Sequence, residues 1–400
     1  MVLADDAGIS RRRLLKQAGM GVGVLALPGL LTACGDDSSV SSGGDPATTT
    51  TAAPTTTGAA TEATTTTAAA SELDALLDGI TSSEVIVGTY GGTTEDARRM
   101  AFWDPFTERT GVEVVAVDIP WPLGNEMLAE KVPAEWDGFH ASPDEFLTAQ
   151  DENPDGEYPQ VPAIAYEDLV PEWFQPYAWQ SFYIAYVPAM LTGTYEGDQP
   201  QTWADFFDTE KFPGKRAWPG SSFSLGTFEA ALIADGVAPE DLYPLDFERG
   251  KAKIRSIWDD LVFYDAFPAV QQLLTSEAAT IGFAPNGLWQ GLVNQGVDTT
   301  VLWTATPLLA LNSEVIIPGA PNLDAVQALA AFCAQPERQA EFAIQTNYGP
   351  PSNAAFDFMT EEQAANLPNS PGRDSASFDV EWLAENAALQ ADEYLDLFAG

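Results

Sequence analysis

Between residues 84 and 117 the chain switches from strand to helix and back, and that order restricts the sheet it can build. Glu84-Val85-Ile86-Val87-Gly88-Thr89-Tyr90 is a short β-rich run ending in Gly91-Gly92. Thr93-Thr94-Glu95-Asp96 then opens a helix, with acidic residues in the first turn where the helix dipole favours them. Ala97, Met100, Ala101 and Phe106 continue an apolar face. Thr110-Gly111 stops it, and Val112–Val117 reads as a second strand. A strand–helix–strand unit of this length implies a parallel sheet. Tyr90-Gly91-Gly92 then lies at the carboxyl end of a strand, where open α/β sheets bind ligands. A tight turn with glycines for packing explains the same residues equally well. Gly91-Gly92-Thr93-Thr94 lacks the G-x-G-x-x-G spacing, so no dinucleotide site is expected.

Charge narrows the function. Asp and Glu number 59 against 17 Lys and Arg, for a formal net charge of −42. Phosphate would be repelled over the whole surface, which excludes nucleic-acid partners, and a basic membrane-adsorbed protein is excluded too. The simplest reading of the acidity is a solvated surface, as in proteins adapted to high salt. One histidine, His140, argues against histidine-based zinc sites. Two cysteines, Cys34 and Cys333, make no disulfide framework. Cys333 reads as a small core residue of a helix ending at Pro336, and His140 as a satisfied structural residue before Ser142-Pro143-Asp144. There is no G-x-S-x-G elbow, Walker loop, H-E-x-x-H or EF-hand pattern. No catalytic residue, metal site or cofactor is expected, and the chain does not read as an enzyme.

The first residues read as an address. Ser10-Arg11-Arg12-Arg13-Leu14-Leu15-Lys16 is a twin-arginine pattern, followed by a mildly apolar run from Ala18 to Leu31 that is short for a bilayer span. Leu31-Thr32-Ala33-Cys34-Gly35 resembles a lipobox. The expectation is a twin-arginine lipoprotein signal over residues 1–33 and lipidation at Cys34. Residues 34–70 then form a Thr-rich stalk without the apolar side chains to build a core. As coil it would reach about 30–35 Å.

The folded remainder contains a series of motifs. Thr202-Trp203-Ala204-Asp205-Phe206-Phe207-Asp208 runs on to Lys211-Phe212-Pro213-Gly214-Lys215-Arg216, and Ala234-Asp235-Gly236-Val237 leads to Leu242-Tyr243-Pro244-Leu245-Asp246. Trp103-Asp104-Pro105-Phe106, Ser142-Pro143-Asp144-Glu145-Phe146, Gln272-Leu273-Leu274-Thr275-Ser276-Glu277 and Tyr348-Gly349-Pro350 recur in order around them. Together, from about residue 84 to 395, they resemble the polyamine-type (spermidine/putrescine) solute-binding proteins of ABC importers. The resemblance implies a type II periplasmic-binding-protein fold, with two α/β lobes joined by a two-segment hinge and a ligand cleft between them. It implies lobe 1 over residues 71–185 and lobe 2 over 186–302. Residues 303–400 would return to lobe 1 and place C-terminal helices across the hinge. The first crossing is expected near Tyr183–Tyr186 and the return near Leu302-Trp303. The implied partners are a small-molecule ligand, an ABC permease and a lipid anchor, with the protein a monomer on the outer face of the cytoplasmic membrane. A sensor for a membrane signalling partner is the alternative within the binding class, and a secreted acidic hydrolase the alternative outside it.

A polyamine needs carboxylates for its ammonium ends and aromatic faces for its methylenes. The candidate ligand residues are Tyr90, Gly91, Ser142, Asp144, Trp179, Tyr183, Trp218, Asn286, Trp303, Asn312 and Glu314. The chain has 11 tryptophans, so most of them must be packing. Three stretches depart from the polyamine pattern. Phe223-Ser224-Leu225-Gly226 lacks the acid pair expected before the helix of lobe 2. Leu311-Asn312-Ser313 lacks an aromatic and an acid, and Pro285-Asn286-Gly287-Leu288 replaces a Trp-Asn-Gly-Arg stretch. Glu229 or Glu314 would have to substitute. A neutral or zwitterionic solute, or a carboxylate held by helix N-termini, stays open.

Overall fold

The computed structural model describes residues 59–89, 91–118 and 121–399. The expected export signal, Cys34, most of the expected stalk and Tyr90 lie outside them. A helix spans Ala59–Asp78, so regular structure starts inside the stretch assigned above to the stalk. Leu73, Leu76 and Leu77 near its end pack on the first lobe, a tertiary gain that the Thr/Ala composition upstream does not announce.

Among the described residues ten strands form one sheet: β1 Glu84–Thr89, β2 Glu113–Asp118, β3 Gly138–Ala141, β4 Ala178–Leu191, β5 Arg216–Pro219, β6 Leu261–Tyr264, β7 Ile281–Pro285, β8 Thr299–Val301, β9 Leu308–Ile316 and β10 Ala376–Ser377. Their order is β2-β1-β3-β9-β4-β7-β5-β6, with β10 beside β9 and β8 beside β4. The strand–helix–strand unit read from sequence is present: β1 and β2 are parallel, in register from Glu84↔Glu113 to Thr89↔Asp118. The helix between them holds a π-helical stretch, Arg99–Trp103, that buries Ala101, Phe102 and Trp103. It ends at Gly111, whose φ of 75° lets the chain turn in the left-handed region without a side-chain clash.

The two lobes are joined by β4 and β9, which run antiparallel. On β4, Trp179 and Phe182 belong to first-lobe packing, whereas Ala185, Val187 and Ala189 belong to second-lobe packing. On β9, Leu308 and Leu309 pack in the second lobe, and Leu311, Val315 and Ile316 in the first. The crossings meet at the Ile184↔Ala310 pair. The first lies at Ile184. The return falls later than Leu302-Trp303, because Leu302 is still held in the second lobe: it is buried in that core and its N–H donates to the Pro188 carbonyl at 2.9 Å.

The C-terminal part divides between the lobes. Helices Leu323–Cys333 and Pro336–Thr346 return to the first-lobe core, where Cys333 is fully buried. Helix Val380–Leu395 instead inserts Leu383 and Tyr394 into the second-lobe core and lies against helix Pro143–Glu152 of the first lobe.

Candidate functional site

Two α/β lobes meeting at paired hinge strands leave a crevice at the carboxyl ends of the strands. Here it is a cleft of about 410 Å³, within the size range of small-molecule sites. The first lobe contributes Pro171 and the segment Ser142–Glu145, and the second contributes Ser224 and Leu225. The hinge strands form the floor, with Tyr183, Ile184 and Tyr186 on β4 and Leu309–Asn312 on β9. Val380, Leu383, Ala387 and Gln390 of the C-terminal helix close one side.

The local sequence explains how these groups are held. Ser142 caps helix Pro143–Glu152 in a capping box: its N–H and hydroxyl donate to Glu145 Oε2 at 2.9 and 3.0 Å. That occupies Glu145 and leaves Asp144, one residue earlier, directed at the cleft. Asp144 has no ion-pair partner among the described residues. Burial pushes its carboxyl above the ordinary value, partly offset by the Ser142 hydroxyl and by backbone N–H groups of the helix start. The Tyr186 phenol is pushed well up by burial, then by the Glu229 and Asp144 carboxylates, so the three share one field.

Beneath Asn312 lies a buried ionic cluster. Asn312 Oδ1 is 3.1 Å from His140 Nε2, and His140 Nδ1 is 3.2 Å from Arg98 Nη2. Arg98 Nη1 sits 2.7 Å from Glu314 Oε1, an ionic contact not aligned as a hydrogen bond. Behind Gln390 is Glu229, fully buried, accepting from the Tyr243 hydroxyl at 2.9 Å and from Gln390 Nε2 at 3.4 Å. Burial pushes its carboxyl up to about 7.

Of the sequence candidates, Ser142, Asp144, Tyr183 and Asn312 come together in the cleft. Tyr183 offers its ring rather than its hydroxyl, which donates to the Leu169 carbonyl at 2.5 Å. The others go elsewhere. Trp179 is fully buried against Gly138 in the first-lobe core, where any Cβ on residue 138 would meet the indole at 2.7 Å. Trp218 is fully buried among Phe206, Phe207 and Phe283 in the second-lobe core. Both are packing residues, corrected from ligand candidates because each indole fills a core. Asn286 is spent on the backbone, accepting from Ala185 N–H at 2.9 Å and donating to the Asn347 carbonyl at 2.7 Å. Trp303 lies under the Arg373 guanidinium at 4.5 Å, away from the cleft lining. Glu314 is likewise behind the cleft, neutralised by Arg98. Gly91 caps helix Gly92–Arg98 and is not a lining residue, and Tyr90 lies outside the described residues.

The sequence reading missed the C-terminal helix as a wall of the cleft. It passed over Ser224 and Leu225 because it looked there only for acids. The helical spacing of Val380, Leu383, Ala387 and Gln390 along one face was the available signal, but it is the same for any half-buried helix.

A family profile for bacterial extracellular solute-binding proteins matches residues 101–371. The chain belongs to that family. It is 28% identical over 305 residues to the gamma-aminobutyric acid-binding protein of Pseudomonas aeruginosa, covering 72% of this chain and 83% of that one. An ABC transporter substrate-binding protein from Bradyrhizobium japonicum USDA 110 superposes with a TM-score of 0.71 at 26% identity, over 79% of this chain and 99% of that one. The Atu4243-GABA receptor gives 0.68 at 27% identity, over 78% and 97%. The solute-binding protein is thus the substrate-binding component of an ABC importer with the two-lobe fold, a binding protein and not an enzyme, working outside the cytoplasm.

Proposed function

We propose that this solute-binding protein captures a small solute with a single ammonium group, of the γ-aminobutyrate type, and presents it to its permease. The observation that carries the reading is Asp144, a carboxylate lining the cleft without a cation of its own among the described residues. A ligand ammonium supplies the missing partner, and the adjacent Tyr186 ring adds cation–π attraction. The Asn312 amide and the Ser224 hydroxyl are polar groups within the same cleft for a ligand's acidic end. The relatives named for γ-aminobutyrate support this class.

A polyamine fits less well. Its second ammonium requires another open carboxylate, but Glu314 is paired with Arg98 and Glu229 lies behind Gln390 and Tyr243. An ammonium desolvated without a counter-charge is disfavoured by several kcal/mol. Ligand groups split between the lobes favour the closed state, which the permease then reads. Export by the twin-arginine route, a lipid on Cys34 and a monomeric state complete the proposal. The first two rest on the order of signals in residues 10–35.

Titration calorimetry on the purified protein with γ-aminobutyrate, longer ω-amino acids, putrescine and spermidine tests the reading. Asp144→Asn is expected to weaken the bound amine roughly ten- to a hundredfold, the size of a hydrogen bond to a charged group. Tighter binding of spermidine than of every monoamine, or an Asp144→Asn protein with unchanged affinity, would sink it.

A further inference from the structure

The cleft does not end at Tyr186. A second cavity of about 190 Å³ shares Tyr186, Ser224 and Leu225 with it and reaches the carboxyl ends of β5 and β6 at Pro219 and Tyr264. Its walls are aromatic: Tyr186, Phe223, Tyr264 and Phe267, with no carboxylate or basic side chain among the lining residues. Tyr264 spends its hydroxyl on the Phe283 carbonyl at 2.8 Å, leaving its ring for the chamber. Phe223 and Phe267 lie 4.6 Å apart at a tilt of 31°, one side of the wall.

The wall is built rather than incidental. Gly220 donates to the Tyr264 carbonyl at 2.8 Å, and Phe223 donates to the Gly220 carbonyl at 3.0 Å. A Cβ on Gly220 would meet the Tyr264 carbonyl oxygen at 2.9 Å as well as Asp265 Oδ1, so glycine lets this loop close on the end of β6. Gly226 follows at φ 81°, where an added Cβ would lie 3.5 Å from the Tyr186 ring. These contacts place Phe223 beside Tyr264 and set Tyr186 at the junction between the chamber and the cleft.

An apolar cavity of roughly 150 Å³ is enough for benzene. A chamber of this size and lining therefore takes a ring, and the adjoining Asp144 takes a cation. We infer that the chamber is a second subsite, and that the solute is an amine bearing an aryl group, with its ammonium at Asp144 and its ring against Phe223, Tyr264 and Phe267. This rests on the amine reading above and narrows it. Buried aryl surface adds affinity of the size of a buried Phe side chain, roughly ten- to a hundredfold.

The test uses matched pairs on the purified protein: γ-aminobutyrate with 4-amino-3-phenylbutanoate, and propylamine with 3-phenylpropylamine, by titration calorimetry. The aryl member of each pair is expected to bind about tenfold tighter or more. Ser222 is exposed at the chamber rim, so Ser222→Trp blocks the chamber at little risk to folding, and the ratio within each pair falls to near one. Phe267→Ala lowers the ratio by removing one face of the ring site. Equal affinities within the pairs, or a ratio that survives Ser222→Trp, would overturn the subsite and leave the amine reading standing. Failure of all four amines to bind would overturn both.

Discussion

Replacing Arg98 by methionine is expected to destabilise the protein by about 3–5 kcal/mol, because it strands the Glu314 carboxylate in the core. Both side chains are almost fully excluded from water, at 2% and 0% relative exposure. Bringing each there from water is costly, and only their mutual attraction and the surrounding dipoles offset it. Methionine keeps the volume and the contact with Phe182, over which the guanidinium sits at 5.7 Å, but removes the charge. The double variant Arg98→Met/Glu314→Leu removes both charges and is expected to recover most of the loss. Urea unfolding of the single and double variants decides the matter: an unchanged midpoint for Arg98→Met would show that the pair contributes nothing. The cluster also reaches function. Arg98 contacts His140, and His140 contacts Asn312 in the cleft floor. Arg98→Met is therefore expected to weaken ligand binding even at temperatures where it stays folded.

The second large effect is one of pH. Glu167 and Glu229 are both buried, and burial pushes each carboxyl from 4.5 to about 7. Glu167 accepts from Ser181 N–H at 3.3 Å and from Gln339 Nε2 at 3.1 Å, bonds that hold the carboxylate but do not outweigh its desolvation. Each folded-state value lies above the unfolded one. Between about 4.5 and 7 the folded protein therefore binds more protons than the unfolded chain. Stability must fall as pH rises through that window, by up to about 3 kcal/mol for each group. Glu229→Gln keeps a donor-and-acceptor head for Tyr243 and Gln390 without the charge. It is expected to flatten its share of the slope and to be more stable than the parent at pH 8. Urea midpoints at pH 5, 6, 7 and 8 for the parent, Glu229→Gln and Glu167→Gln measure this. Parallel profiles for all three proteins would show that neither carboxyl titrates in that window. Because Gln390 lines the cleft, the same titration should move ligand affinity in the parent more than in Glu229→Gln.

The strand–helix–strand start was legible because it is local. Val85–Val87, the acidic helix opening and Gly111 are each set by backbone preference and by neighbours within a few residues. Ser142 and Asp144 were legible only as ligand candidates; the cap that Ser142 makes over its helix came from the structure. The tryptophans were not legible. Trp179 and Trp218 resemble binding residues in one dimension, since a large aromatic near a strand end serves a core and a cleft equally well. Only the facing elements decide, here Gly138 beneath one indole and Phe206, Phe207 and Phe283 around the other. Asn286 failed in the same way: its residue type suits a ligand, and its partners turned out to be two backbone groups from distant segments.

The sequence by itself determined the α/β class and the solute-binding family with its two-lobe architecture, and it offered Ser142 and Asp144 as ligand candidates. All of these follow from local order and spacing, or from motifs that recur along the chain. The tertiary structure decided what depended on long-range pairing. It moved the return crossing to Ala310, set by the Ile184↔Ala310 register of β4 against β9. It paired Glu314 with Arg98, more than 200 residues away, and so left Asp144 as the open charge of the cleft. It also laid the C-terminal helix along the cleft and joined Phe223 to Tyr264 and Phe267 beside it. The reason is the same in each case: a carboxylate or a ring declares its chemistry in the sequence, but whether it is neutralised, buried or left facing a ligand depends on which distant groups fold against it.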